Sequence, residues 1–270
     1  MNQPYLPAKK SLGQNFLKSK KALSQMIRAT NVTEHDLVIE IGPGKGALTR
    51  PLLETGARVI AFELDKRMID YLQTDLSEYI KSGQLALIHQ DVLEIDMADF
   101  FGKFEAYKLI ANIPYYITNA IIRKFLETKY QPTNMCLLVQ KEVAERIVFR
   151  DGKQSLLALA VAVYGDAKYI AKVDRKYFSP NPKVHSAIIH IGNISTKKIG
   201  NEKRQKLFFE IIRAGFAHKR KKTIRNLEKI ADKKIWTEIF AELEIDENTR
   251  AEKLDLNKWL NILGLFEQKT

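Results

Sequence analysis

Short apolar runs alternate with amphipathic stretches over the first two thirds of the chain, and then the runs stop. LVIEI (37–41), RVIAF (58–62), LALI (85–88), YKLIA (107–111), MCLLVQ (135–140) and SAIIHI (186–191) are nearly unbroken. Runs of that length without alternation read as strands buried on both faces. A further strand is expected near 168–174. Helical spacing fills the gaps, in SKKALSQMIRA after Ser19, GALTRPLLE ending at Gly56, KRMIDYLQTDLSEYI (66–80), TNAIIRKFLE, KEVAERIVF and SLLALAVAVYG (155–165). Within 66–80, Met68, Leu72, Leu76 and Ile80 recur at every fourth position. Ser19 and Thr118 stand where helix caps belong. Strands alternating with helices imply βαβ units, hence an α/β fold with seven mostly parallel strands; the last two are close enough to add an antiparallel element.

From residue 193 the pattern changes. NISTKKIGNEK (193–203) is a polar linker, and after it only helical patterns remain: KLFFEIIRAGFA, KKTIRNLEKIA, IWTEIFAEL and LNKWLNILGLF. The expected organisation is a sheet domain over 1–192, with 1–28 a basic N-terminal arm and helix, followed by a small all-helical domain over 193–270.

Charge sharpens this division. The 270 residues carry a net charge of +12. Residues 1–28 hold six basic residues and no acid, residues 29–196 twenty of each sign, residues 197–234 fourteen basic and four acidic, and residues 235–270 four basic and eight acidic. The excess therefore sits in two blocks around a neutral middle, which fits a polyanionic partner better than a dispersed excess would. Hydrophobic residues at 45% and charged residues at 28% are ordinary for a globular protein. No apolar run approaches the ~20 residues of a membrane span. MNQPYLPAKKSLGQNF has no continuous apolar core, so it does not read as a secretory signal. The single cysteine, Cys136, lies in an apolar run and reads as a small buried residue. The histidines do not cluster as metal ligands, so no metal is expected. The expected compartment is the cytoplasm.

Four strand tips carry the candidate chemistry. EIGPGKG (40–46) follows a strand and opens a helix, a context in which Gly42 and Gly44 let backbone approach a ligand. Its G-x-G-x-G spacing is neither that of dinucleotide enzymes nor a P-loop. FELD places Glu63 at the end of the next strand, where an acid can accept both hydroxyls of a ribose. HQDVLE places Asp91 where it can accept from an exocyclic amino group such as that of adenine. NIPYYIT (112–118) follows the fourth strand. There Asn112 and a backbone carbonyl beside Pro114 can accept both hydrogens of an aromatic amine, with Pro114 fixing the turn and Tyr115 offering a face for a base. Two acceptors favour the developing positive charge on an amine nitrogen that is attacking an electrophile. Tyr116 receives no role.

EIGPGKG, FELD, QDVLEID and NIPYYIT resemble the S-adenosylmethionine-dependent adenine-N6 methyltransferases that act on ribosomal RNA. KKSLGQNFL (9–17), LLVQKEVAERI (137–147), YFSPNPKVHSAI (177–188), HKRKKTIRNL (218–227) and RAEKLDL (250–256) extend the resemblance over nearly the whole chain, to the small-subunit dimethyladenosine transferases of the KsgA family. The related Erm enzymes, which methylate large-subunit rRNA, share QNFL and NIPY but resemble the C-terminal blocks less. The resemblance implies a Rossmann-like class I methyltransferase sheet and S-adenosylmethionine as cofactor. It implies that Asn15 and Leu17 close over that cofactor, that Gly42 meets its methionine end, Glu63 its ribose and Asp91 its adenine. Asn112 would be shared by cofactor and target amine, Tyr115 would stack, and Phe178 would be a second aromatic against the target base. The family adds two methyl groups to each of two adjacent adenosines in a hairpin loop near the 3′ end of small-subunit rRNA. Lys219, Arg220, Lys221, Lys222 and Arg225 would then meet rRNA phosphates, and the protein would act as a monomer on rRNA or an assembling small subunit. Three other readings are an Erm-like enzyme, a mainly non-catalytic rRNA-binding assembly factor, disfavoured by the intact NIPY, and a nicotinamide dehydrogenase, disfavoured by the glycine spacing and by Asp91 and NIPY together.

Overall fold

The computed structural model describes residues 6–150 and 152–270; the first five residues of the basic arm lie outside them. The chain divides into two compact units, one formed by the residues up to Ala144 with Ala167–Ile194, the other by Glu145–Asp166 with Ser195–Thr270.

In the first unit the strands, in chain order, are β1 (Phe16–Leu17), β2 (Leu37–Ile41), β3 (Arg58–Glu63), β4 (Leu85–His89), β5 (Lys108–Asn112), β6 (Asn134–Gln140), β7 (Asp166–Val173), β8 (Phe178–Ser179) and β9 (Ser186–Gly192). Seven of them form one sheet in the order β4-β3-β2-β5-β6-β9-β7. The first five neighbours are parallel, and β9 runs antiparallel to β6. This is the expected α/β sheet. Its central strands are apolar on both faces because crossover helices cover both; Val38, Ile39, Leu109, Ile110 and Ala111 are all buried. The seven-stranded sheet starts with β2, steps outward through β3 and β4, and returns to the other side of β2 as β5. That reversal opens a crevice beyond the carboxyl ends of β2 and β5.

Helix boundaries follow local chemistry in some places and not in others. Ser19 caps Lys20–Thr30, its side chain accepting from the Ala22 N–H. The helix expected over 66–80 is two helices, Lys66–Asp75 and Ser77–Lys81, parted at Leu76, whose φ/ψ of −117°/26° leaves the helical region while its side chain stays buried. Thr118 is not a cap. The 3-10 turn Tyr115–Ile117 runs straight into the helix Thr118–Leu126, so Thr118 is already helical. Outside the main sheet, β1 pairs antiparallel with β8, Phe16 opposite Ser179 and Leu17 opposite Phe178.

The second unit is helical, with Leu156–Tyr164, Glu202–Gly215, Thr223–Leu227, Lys233–Glu242 and Leu256–Lys269. Trp236, Trp259, Phe208 and Phe240 are fully buried in it, and Trp236 stacks on Phe266 with ring centroids 4.6 Å apart. A Cβ on Gly215 would come within 2.4 Å of the Trp259 ring, so a close approach requires glycine there. Residues 145–166, expected within the first domain, group with these helices. The reason is that Leu156–Tyr164 is apolar nearly all round and needs cover on more than one side. Tyr164 stacks on Phe209 and donates to Gln205 Oε1 at 3.0 Å, and the Gln154 N–H donates to the Glu252 carbonyl at 2.9 Å.

Candidate active site at the strand tips

A cavity of about 360 Å³ lies beyond the carboxyl ends of β2, β3, β4 and β5, walled on another side by residues 12–17. That volume is in the range that holds a small organic ligand. Gly42, Gly44, Glu63, Asp91, Asn112, Pro114 and Tyr115 all line it, as do Asn15 and Leu17. The four tips converge because the strands are parallel and in register: Glu63 lies opposite His89, and Ile41 opposite both Phe62 and Ala111.

The glycine turn is shaped for close approach. Gly44 has φ +55°, a backbone strained for any side chain, and a Cβ on it would lie 3.0 Å from the Phe16 ring, which would have to shift to admit it. Its N–H donates to Glu63 Oε2 at 3.0 Å, and the Asp65 N–H donates to Glu63 Oε1 at 2.9 Å. Two backbone donors fix the Glu63 carboxylate at the tip of β3, and each oxygen retains a lone pair for a ligand hydroxyl. Burial raises the Glu63 pKa. Asp91 accepts from the Leu93 N–H at 2.8 Å, which orients its carboxylate at the tip of β4.

At the tip of β5, Asn112 Nδ2 donates to the Asn15 carbonyl at 3.3 Å. With its donor side committed to the arm, the amide keeps its oxygen as an acceptor. The Pro114 carbonyl accepts from the Ile117 N–H at 3.2 Å, turning into the 3-10 turn. Tyr115 is half-buried; its hydroxyl lies 2.6 Å from Ser186 Oγ, and burial raises its pKa. Tyr116 is 66% exposed at the rim.

The arm is held by side chains as well as by the β1–β8 pairing. Lys9 Nζ and Gln14 Nε2 donate to the two oxygens of Asp65 at 3.2 and 3.0 Å, and the Lys9 N–H donates to Gln14 Oε1 at 2.7 Å. Arg67 donates to the same carboxylate at 2.6 and 3.0 Å. Asp65 is 1% exposed, yet these donors, Arg67 foremost, hold its pKa far below the usual carboxylate range. Asn15 Nδ2 donates to the Gly13 carbonyl at 3.0 Å.

Phe178 departs from expectation. It is 3% exposed, packs in the hydrophobic core with Leu17, Leu23 and Val173, and is not among the residues that line the cavity. A ring buried on all sides offers no face to a base, so in this arrangement Phe178 is a packing residue. Its neighbour Tyr177 carries the exposed ring, at 41%. Lys219, Arg220, Lys221, Lys222 and Arg225 are exposed in the helical unit, on and beside the turn between Glu202–Gly215 and Thr223–Leu227.

Glu40 is a cavity residue beyond those expected from the sequence. It is 1% exposed on the cavity wall, and its Oε2 has no hydrogen-bond partner. Burial pushes its pKa up to about 8, the Thr49 hydroxyl beside it drawing the value back and the nearby Glu63 charge adding to the rise. The signal was present as an acid inside an apolar strand, LVIEI, where an unpaired carboxylate is costly. Among the described residues, no group of His, Cys, Asp and Glu is placed to hold a metal ion.

A family model described as Ribosomal RNA adenine dimethylase matches residues 6–268. A protein of Fusobacterium nucleatum subsp. nucleatum named Ribosomal RNA small subunit methyltransferase A is 37% identical over 262 residues, covering 96% of this chain and 97% of its own. A protein of the same name from Dehalococcoides mccartyi is 40% identical, covering 94% of this chain and 87% of its own. The crystal structure of a dimethyladenosine transferase from Plasmodium falciparum superimposes with a TM-score of 0.78 at 25% identity, covering 94% of this chain and 98% of its own. The sheet order, the four strand tips and a match that spans both units lead to one conclusion: the chain belongs to the ribosomal RNA adenine dimethylase family.

Proposed function

We propose that this protein methylates N6 of two adjacent adenosines in a hairpin loop near the 3′ end of small-subunit rRNA, and that the residues at the strand tips carry the roles below. The observation that carries the reading is the commitment of Asn112 Nδ2 to the arm, which leaves the amide oxygen as an acceptor beside Tyr115.

The cavity residues fit S-adenosylmethionine. Glu40 Oε2, buried and unpartnered, offers a counter-charge to the cofactor's ammonium; a cation docking there would draw the proton off a carboxyl poised near pH 8. Gly42 and Gly44 admit the methionine end, Glu63 accepts from the ribose hydroxyls, and Asp91 accepts from the adenine amino group. Asn15 and Leu17 close the cavity from the arm. Bound there, the cofactor supplies an electrophilic methyl group.

The chain's own task is to present a weak nucleophile. An adenine amino group is planar because its lone pair is delocalised into the ring. Asn112 Oδ1 and the Ile113 carbonyl accept its two hydrogens; the Pro114 carbonyl is turned away into the 3-10 turn. Both acceptors strengthen as the nitrogen becomes pyramidal and positive, so they stabilise the transition state more than the ground state. Tyr115 stacks on the base. The methylated nitrogen, positive and strongly acidic, then gives its proton to water, and no titrating base at the site is required. A loop adenosine is already unpaired, which lowers the cost of taking it into a pocket. The basic turn at 219–225 meets rRNA phosphates.

The deciding experiment supplies radiolabelled S-adenosylmethionine and small or large ribosomal subunits from cells lacking this gene, followed by nucleoside analysis. N6-dimethyladenosine in small-subunit rRNA is expected. Label confined to the large subunit would replace this reading with an Erm-like one.

A further inference from the structure

Resting on that reading, we propose that Ser186 is a positioning residue for methyl transfer: it fixes the ring plane of Tyr115, and this, rather than display of Phe178, is what the segment FSPNPKVHS contributes to the site. Tyr115 lies in a single 3-10 turn of three residues, tied down locally by the Ile117 N–H to the Pro114 carbonyl. So short a turn leaves the ring free to swing about its side-chain torsions unless its far end is held. The far end is held, by Ser186 Oγ at 2.6 Å.

Ser186 makes a rigid anchor. It is 0% exposed, so its hydroxyl has no exposed surface from which to exchange Tyr115 for solvent. It is the first residue of β9 and pairs with Gln140 across the β6–β9 ladder. The preceding residue is fixed too, because the Lys141 N–H donates to the His185 carbonyl at 2.9 Å. The anchor therefore belongs to the central sheet, as does Asn112 at the tip of β5. One bond transfers the rigidity of β9 to a residue on a short turn, and aligns stacking face and amide oxygen within a common frame. Phe178, by contrast, is sealed in the core, where its strand holds Leu17 of the arm. The segment thus serves two walls of the cavity through its two ends.

A residue acting through ring orientation affects the chemical step and not cofactor affinity, since reacting groups tolerate little misplacement. The test measures single-turnover methylation of small-subunit rRNA by wild type, Ser186→Ala, Tyr115→Phe and the double variant, with cofactor affinity by calorimetry. Each single variant removes the same bond from one side, and each is expected to slow the step about tenfold at unchanged cofactor affinity. The double variant is expected to be no slower than the slower single one, and Ser186→Thr, which keeps the hydroxyl, to recover part of the rate. Losses that multiply, or a Tyr115→Phe enzyme at the full wild-type rate, would overturn the proposal even if Ser186→Ala did not fold. A 2-aminopurine at the target position gives a second readout: its quenching on binding to wild type should be diminished in Ser186→Ala, and equal quenching would count against the proposal. Absence of methylated adenosine with wild type would be a different result, removing the functional reading and this inference with it.

Discussion

Glu40 and Asp65 are both carboxylates sealed from solvent, each 1% exposed, one in the strand wall of the cavity and one beneath its arm wall, and their pKa values are driven in opposite directions. Burial alone does not decide the charge state. Glu40 is buried with only the Thr49 hydroxyl to offset the cost and with the Glu63 charge adding to it, so its pKa is pushed up to about 8. Asp65 is surrounded by Arg67, Lys9 and Gln14 and stays ionised. The difference separates two kinds of construction. The strand wall is rigid through the sheet and leaves polar atoms unsatisfied for a ligand. The arm wall satisfies its charge internally and uses the charge to stay in place.

The comparison is challenged most severely at the strand tips. Asn112→Ala should lower the methylation rate about a hundredfold to a thousandfold while leaving RNA affinity intact; equal losses in titrations of both would mean that the amide holds RNA rather than orienting the amine. Glu40→Gln comes next. It should weaken cofactor binding about tenfold to a hundredfold by calorimetry, because a charged partner is lost. It should also change stability with a definite sign. The unfolded carboxyl loses its proton near pH 4.5, the folded one near 8, so the apo wild type loses stability as pH rises through that window. Thermal melts should then show Glu40→Gln gaining on wild type between pH 5 and pH 8.5; parallel curves would mean that Glu40 is already paired.

Asp65→Asn loosens the other wall. The cofactor KM should rise about tenfold with a smaller change in kcat, as the arm loses its ion pairs. Its linkage has the opposite sign: a depressed pKa gives stability that is present above about pH 4 and lost only as acid titrates the folded carboxylate. The deficit of Asp65→Asn should therefore persist across pH 5–8, and a deficit that vanished at pH 6 would contradict the clamp. The smallest effect on chemistry is expected from replacing Lys219, Arg220, Lys221 and Lys222 by Gln. The slope of log affinity against log salt should flatten by about 0.7 for each single-strand phosphate that is no longer neutralised, with cofactor affinity unaltered.

Much of this was legible in the sequence, for local reasons. A strand buried on both faces must be an apolar run, so LVIEI and MCLLVQ announce themselves, and a parallel sheet then places the residues after each run at one edge. Gly42, Glu63, Asp91 and Asn112 follow from that rule alone. Features that depend on distant partners were not legible. Nothing near Asp65 in the chain indicates that Lys9 and Gln14 will reach it, and nothing near Tyr115 points to Ser186. Phe178 beside its prolines looks the same whether it faces a base or a core. The helix Leu156–Tyr164 follows a strand and a helix in sequence and so read as more of the sheet unit, although an all-round apolar surface was a sign of cover from several helices.

Behind the basic turn sits Asn226, 1% exposed, whose Nδ2 donates to the Gly215 carbonyl at 2.6 Å and the His218 carbonyl at 3.2 Å. Shape and charge are thereby separated on that surface. The exposed lysines and arginines at 219–222 are free to exchange with one another over evolutionary time, since a phosphate reads mainly their charge. The amide that sets the path of the backbone has no such freedom, because no other side chain of its length presents an uncharged donor to two carbonyls from beneath. In a library of variants, tolerance should run highest at the most basic positions and collapse at the buried amide underneath them.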